Sequence, residues 1–446
     1  MLRKECSLVG LAILLVIGSA PSTFAQPAIA SRQLPASTLH TMKPQHPDQN
    51  MKRFGTTKNG GIPTANAGLK TAASSGIPGI DSILNWSDQF ISPGYDGNGN
   101  PQSVWPYTMV GNSPRSGQSA SITAPIVPVT VQLLGPDGKV ALTFGPNGKV
   151  INAALQSPEF VSNTYTNGQG QFNDQMMRAQ FANELRGEDG GDWHTILHPK
   201  LRTARTVKVP YLTAGGTNAW YYFSDSAGQP VLAAIDDETF GNLLFPATYP
   251  FDSSSPVGAA ELAGDITTHD LSTFLFNNTV LFSGGDINNC CTIGYHTYDY
   301  EPGIPQNGNL PRLYVLNYAS WLSPGLFLFG FGDMTAWSHE MAETFNDPFI
   351  NNATPWWLSV DPFTGGGICQ NNLEVGDVVE VLDSLNPVST IPGKGLTYHV
   401  QNMALFPWFA FESPSPAGLG AYSFPDETTL MSLSPGPLLP GCVAAP

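Results

Sequence analysis

One histidine and two glutamates are spaced so that they could share a cation. In Ser338-His339-Glu340-Met341-Ala342-Glu343-Thr344-Phe345-Asn346-Asp347-Pro348 the pattern predicts a helix. Asp333 offers a cap at its start, and Pro348 makes Asp347 a poor place to continue it. At about 100° per residue, Met334, Trp337, Met341 and Phe345 share one face, and His339 and Glu343 stand one turn apart on the other. An imidazole and a carboxylate at i and i+4 can grip one cation, while Glu340 reaches a water on that cation as general base. With 8 histidines and 13 glutamates in 446 residues, His-Glu-x-x-Glu arises by chance about 0.007 times per chain. The competing reading is an amphipathic helix whose polar side faces water. Against it, no Lys or Arg on that side balances Glu340 and Glu343.

This spacing resembles the zinc-peptidase helix, His-Glu-x-x-His, with its second histidine replaced by Glu343. A third ligand is sought in Asn371-Asn372-Leu373-Glu374-Val375-Gly376-Asp377, which reads equally as a polar surface turn. Thermolysin-like peptidases are similar here: an Asn-Glu segment after their metal helix supplies the third ligand, and an Asp follows shortly. The resemblance implies that Glu374 binds the metal and that Asp377 braces His339 and fixes its tautomer. It also implies zinc as cofactor. Two carboxylates and one imidazole neutralise that ion and weaken its pull on water, so another divalent metal is the alternative. His296, in Cys290-Cys291-Thr292-Ile293-Gly294-Tyr295-His296-Thr297-Tyr298, could steady an oxyanion or serve as a fourth ligand. A histidine hydrogen-bonded within the core is the other reading, and Tyr295 and Tyr298 share the ambiguity.

Taken in order, Gly294-Tyr295-His296, then His339-Glu340-x-x-Glu343 with Asn346-Asp347-Pro348, then Glu374-Val375-Gly376-Asp377 resemble the phosphate-induced, exordium-like proteins of plants. Those carry a Gly-Phe-His element, a His-Glu-x-x-Glu followed by Asn-Pro, and a Glu-Ile-x-Asp. Exported bacterial proteins of uncertain function share the helix and the acidic element. The resemblance spans about residues 280–380 and implies that the three elements form one site. It implies an extracellular, growth-related protein rather than an established peptidase. The plant pattern places a cysteine just after its acidic element, where this chain has Val378.

These residues need a scaffold and a compartment. Arg3 and Lys4, the apolar run Leu8 to Ala20 and the small residues of Thr23-Phe24-Ala25 read as a signal peptide over residues 1–25. Its apolar run is too short to span a bilayer, which takes about 20 residues, and no later segment is apolar enough. A secreted or periplasmic, otherwise extracellular protein with no membrane span is expected. Residues 26–80 hold six basic residues and one acid, are rich in Gly, Pro, Ser, Thr and Asn, and read as a disordered linker or pro-segment. From residue 81 onward the chain has 11 basic and 33 acidic residues, which argues against a nucleic-acid partner. Four cysteines remain after the signal, and export makes disulfides plausible. A bridge between neighbours Cys290 and Cys291 would be strained, so the 290 region is expected to be tied to both Cys369 and Cys442.

Residues 81–446 read as one metallopeptidase-like α+β domain: a mixed sheet, the metal-site helix, and loops rich in the chain's 46 Gly and 39 Pro. Strands are expected at Ile126 to Leu133, Val140 to Phe144, Thr206 to Leu212, Trp220 to Phe223, Val231 to Ile235, Val280 to Ser283 and Arg312 to Tyr318. Helices are expected at Phe172 to Leu185, Asp265 to Phe276 and Met334 to Phe345. Asp96-Gly97-Asn98-Gly99-Asn100 has a calcium-loop flavour, but Tyr107 stands where the bidentate Glu belongs, so a tight turn is favoured. There is no Gly-x-Ser-x-Gly, P-loop or dinucleotide fingerprint. Two functions follow. One is an exported zinc-dependent peptidase-like hydrolase acting on a peptide or protein. The other is a non-catalytic exordium-like protein binding a cell-wall or surface polymer, with Trp356, Trp357 and Trp408 for sugar stacking and a structural metal site or none.

Overall fold

Runs of β-branched and aromatic residues supply the framework on which the helix carrying His339 rests. A computed structural model describes residues 29–42, 79–186, 191–247, 253–360, 367–382, 387–436 and 438–444; the expected signal peptide lies outside them. The longest strand, Ala120–Leu134, contains the Ile126 to Leu133 run and crosses the middle of a seven-stranded sheet. From one edge the order is Gly294–Glu301, Arg312–Trp321, Leu271–Asn277, Ala120–Leu134, Val140–Phe144, with Thr195–Leu201 and Arg205–Val209 also pairing with the long strand. Leu271–Asn277 is parallel to both its neighbours, whereas Gly294–Glu301 is antiparallel to Arg312–Trp321. A second mixed sheet orders Gln33–Pro35, Trp220–Ser224, Pro230–Asp236, Thr279–Phe282 and Cys290–Thr292. Mixed sheets with separate helices agree with the α+β expectation. Among the described residues no helix is long and apolar enough to cross a membrane.

The helix Thr335–Asn346 packs on the strands Gly294–Glu301 and Arg312–Trp321, and every one of its residues is buried. Its apolar face does what the spacing predicts. Trp337 Nε1 donates to Thr273 Oγ1 at 3.0 Å, and Met341 Sδ accepts from Asn317 Nδ2 at 3.2 Å, so both side chains lie against the sheet. The polar face is covered too, which removes the water-facing alternative. Asp333 does not cap the helix side-on. Its carboxylate accepts from the backbone N–H of Met334 and of His399 and pairs with His399 Nδ1 at 2.7 Å, while Met334 takes the cap position.

Several expectations need correction. The helix expected at Asp265 to Phe276 is instead the strand Leu271–Asn277, almost entirely buried. A strand covered on both faces lacks alternation, so its apolar run cannot be told from a buried helix by periodicity. The helix at Phe172 ends at Gln180, with a short 3₁₀ turn at Glu184–Arg186. Residues 29–42, inside the expected disordered segment, are ordered. Gln33–Pro35 adds in parallel to Trp220–Ser224, and Arg32 is buried with its guanidinium 3.6 Å from the Tyr211 ring centroid and 4.7 Å from that of Trp220. Beside main-chain pairing and one stacked cation, a single fully buried apolar side chain, Leu39, joins the core, too little to make a periodic pattern.

The cysteines pair differently from expectation: Cys290 with Cys291, and Cys369 with Cys442. Excluding the neighbour bridge presupposed a trans peptide, which separates Cα atoms by about 3.8 Å. The Cys290–Cys291 peptide is cis, and its Cα atoms are 3.0 Å apart. The second pair ties the strand Gly367–Asn372 to the C-terminal region across 73 residues. Trp357 and Trp408 are buried with ring centroids 5.6 Å apart, so they are core residues and not a sugar platform. The Asp96 stretch is a tight turn, with Asp96 Oδ1 accepting from the N–H of Asn98 and Asn100.

One buried acid makes stability depend on pH. Glu159 is fully buried, with Asn173 donating to it, and burial pushes its carboxyl up to about 8 against the pull of that hydrogen bond. The folded form keeps a proton that the unfolded form loses above about 4.5. Its contribution is therefore complete below that pH and is lost as pH rises through about 8. Glu159→Gln should leave stability at pH 5 within about 1 kcal/mol and raise it by a few kcal/mol at pH 9, read from urea midpoints at the two pH values. Equal midpoint shifts at both would contradict it.

Candidate metal centre

Three separate stretches bring six ionisable side chains together. The strand Gly294–Glu301 supplies His296, the helix Thr335–Asn346 supplies His339, Glu340 and Glu343, and the segment leading into the short helix Asp377–Glu380 supplies Glu374 and Asp377. All six are buried; only His339 at 5% and Glu340 at 3% keep any exposure. Glu343 lies between the two histidines: its Oε1 is 3.1 Å from His339 Nε2 and its Oε2 is 3.1 Å from His296 Nδ1. Asp377 Oδ1 is 3.4 Å from His339 Nε2, and Glu374 Oε2 is 3.9 Å from His296 Nδ1. Glu340 spans both, with Oε1 3.9 Å from His339 Nε2 and Oε2 3.7 Å from His296 Nδ1.

Two groups of three ligand atoms result: His296, Glu343 and Glu374, and His339, Glu343 and Asp377, with the atoms in each within 4.8 Å of one another. The sequence set His339, Glu343, Glu374 is thus divided, since Glu374 faces His296 and Asp377 faces His339. Asp377 meets the ring at Nε2, the nitrogen turned toward Glu343. The bracing position at Nδ1 belongs to Gln401, whose Oε1 is 3.1 Å away while its Nε2 donates to the Gly376 carbonyl at 2.7 Å. With Nδ1–H donating to Gln401, Nε2 is left as a lone pair for a cation. The carboxylates are steered in turn: Asn372 Nδ2 donates to Glu374 Oε1 at 2.7 Å, Gln370 Nε2 to Asp377 Oδ2 at 2.5 Å, and the Gly376 N–H to Glu343 Oε1 at 3.2 Å.

Electrostatics make this cluster costly without a counter-ion. The four carboxylates pair with the two histidines in their midst. Burial opposes protonation of His296, but Glu374, Glu340 and Glu343 outweigh it and lift its pKa to about 10. His339 is raised well above its usual value, burial again being outweighed by Glu343, Glu340 and Asp377. Burial raises Glu340 against the pull of His339 and His296. A field that holds protons so firmly on imidazoles would bind a cation in their place.

The donor set suits such an ion. Imidazole nitrogens and carboxylate oxygens accommodate zinc, manganese or iron, and ligands at about 2.1 Å in a tetrahedron stand about 3.4 Å apart. His296 is the sharper indicator. It is fully buried, and neither ring nitrogen makes a hydrogen bond of acceptable geometry, although Nδ1 faces three carboxylates. Donor atoms this close without aiming at one another converge on a point between them.

Two glycines admit the cluster. A Cβ on Gly376 would lie 2.5 Å from His339 Nδ1, and one on Gly294 would lie 2.7 Å from Glu340 Oε1. Both lie in motifs quoted from the sequence, whereas Gln401 carried no signal there. Only folding places it, through the strand Thr397–Gln401 running beside the helix. Asn346 and Asp347 have local work at the helix end: Asn346 Oδ1 accepts from Gln180 at 2.8 Å, and Asp347 Oδ1 accepts from the N–H of Asn351 at 2.9 Å. His194 and His198 lie apart from the cluster, on Asp174 and Ser121 respectively.

Comparison with protein-family models, with curated proteins and with solved structures finds no match for this chain. The functional argument therefore stands on the side chains themselves.

Gly376 has an ordinary helical backbone, φ −81°, so alanine there strains only the contact with His339. If the cluster holds zinc, Gly376→Ala should displace the His339 ring and weaken zinc binding at least about tenfold, and the overpacking should also lower the stability of the metal-free protein by about 1–3 kcal/mol. Unchanged affinity in a zinc titration would refute the positioning role.

Proposed function

We propose that this chain is an exported, metal-dependent hydrolase of the peptidase type, with His339, Glu343 and Asp377 holding a divalent cation, zinc in the first instance, and Glu340 acting as general base. The observation that carries this reading is the convergence of two histidines and four carboxylates, all buried, on one small volume. Four carboxylates withdrawn from water cost several kcal/mol each unless charge of the opposite sign joins them. A bound cation supplies that charge, and with it the Lewis acidity that activates water and polarises a carbonyl.

The chain's own groups then have distinct tasks. Gln401 holds the His339 ring with Nε2 turned inward. Glu340, at the edge of the cluster with residual exposure, accepts the proton as water attacks a substrate carbonyl and hands it to the leaving amine as the C–N bond breaks. Its raised pKa suits both halves of that transfer. His296, across Glu340 from His339, lies where it can hold charge on the carbonyl oxygen or bind a cation. The two cysteine pairs and the leader-like start of the sequence support an oxidising, exported setting.

A second reading has its own support. The site is almost fully closed, with His296, Glu343, Glu374 and Asp377 at 0% exposure. A cation sealed in this way serves to hold three chain segments together in a secreted, exordium-like binding protein. One substitution separates the two. Glu340→Gln should abolish hydrolysis of a peptide library, by at least about a hundredfold, while zinc content by mass spectrometry is unchanged. Loss of zinc in His339→Ala plus Glu343→Ala identifies the ligands. Peptide hydrolysis that Glu340→Gln does not alter, or none at all in a zinc-loaded wild type, would favour the structural reading.

A further inference from the structure

We infer that the cluster is built for two divalent cations, with the Glu343 carboxylate shared between them. This rests on the metal-dependent reading above and extends it from one ion to two. The geometry is nearly symmetric about Glu343. Its Oε1 faces His339 Nε2 and its Oε2 faces His296 Nδ1, both at 3.1 Å. Each histidine has a carboxylate of its own, Asp377 for His339 at 3.4 Å and Glu374 for His296 at 3.9 Å. The two candidate ligand groups therefore have Glu343 as their single common member. A carboxylate that gives one oxygen to each of two ions suits the separation of about 3.5–4 Å found in two-metal hydrolytic sites.

His296 is the independent observation. A single ion at His339, Glu343 and Asp377 leaves this fully buried imidazole with no well-aimed hydrogen bond at either nitrogen, although Nδ1 lies 3.1 Å from Glu343 Oε2. A second ion at His296, Glu343 and Glu374 gives Nδ1 a partner. Glu340 keeps the place assigned to it. With one oxygen toward each histidine, it stands beside the gap between the two positions, where a proton acceptor serves either ion.

The test is stoichiometry on the full chain as exported. Chelator-stripped protein is titrated with zinc and the bound metal counted by mass spectrometry, then reloaded with manganese for electron paramagnetic resonance. Two zinc ions per chain and an exchange-coupled manganese signal are expected in the wild type. Glu374→Gln should keep one ion and convert the manganese signal to that of an isolated ion. One zinc per chain with an uncoupled manganese signal in the wild type would overturn the two-ion site and leave the single-ion hydrolase standing. No bound metal would overturn both. The wild-type count needs no variant, so misfolding of Glu374→Gln cannot mask the answer.

Discussion

Four carboxylates gathered out of water govern this structure. Glu340, Glu343, Glu374 and Asp377 come from two segments separated by about thirty residues, and each is at most 3% exposed. Holding them together requires opposite charge in the middle and a rigid surround that prevents the group from relaxing apart. The seven-stranded sheet provides that surround beneath the helix, and Trp337 and Met341 fix the helix to it through Thr273 and Asn317. On the other side, Gln401, Asn372 and Gln370 hold ring and carboxylate orientations by directed hydrogen bonds. The apolar face of one helix thus sets the position of its polar face, and the polar face sets what the loop at residues 372–377 must do.

The elements that carry the site were legible to different degrees. The helix was clear, because an amphipathic spacing survives even when both faces are buried. Its partners were clear as residues but not as a pattern of contacts. Glu374 and Asp377 were both visible in one short segment, yet which of them meets His339 depends on how the chain turns between them. That turn is set by Gly376 lying flat against the imidazole, a packing fact with no one-dimensional trace. Gln401 was silent for a similar reason. A glutamine in a strand is ordinary until the strand is seen running beside the helix.

The misread elements share a cause. Leu271–Asn277 looked helical because burial on both faces erases the alternation that marks a strand. The stretch 29–42 looked featureless because its attachment uses backbone pairing, one arginine and the isolated apolar side chain of Leu39. The cysteines were misassigned by assuming the commonest peptide geometry between neighbours. In each case local propensity was a weak guide against a tertiary contact that overrode it.

The N-terminal strand changes what cutting this chain can accomplish. Gln33–Pro35 sits at the edge of the five-stranded sheet, and Arg32 is stacked into a pocket of Tyr211 and Trp220. A protease that cuts between residues 42 and 79 would sever the covalent link without dislodging the piece, which stays on the sheet as a bound peptide. The processed protein would then be a complex of two chains, held by a parallel strand pairing, one buried guanidinium and the buried side chain of Leu39. Its integrity would depend on dilution and temperature in a way that the uncut chain's does not.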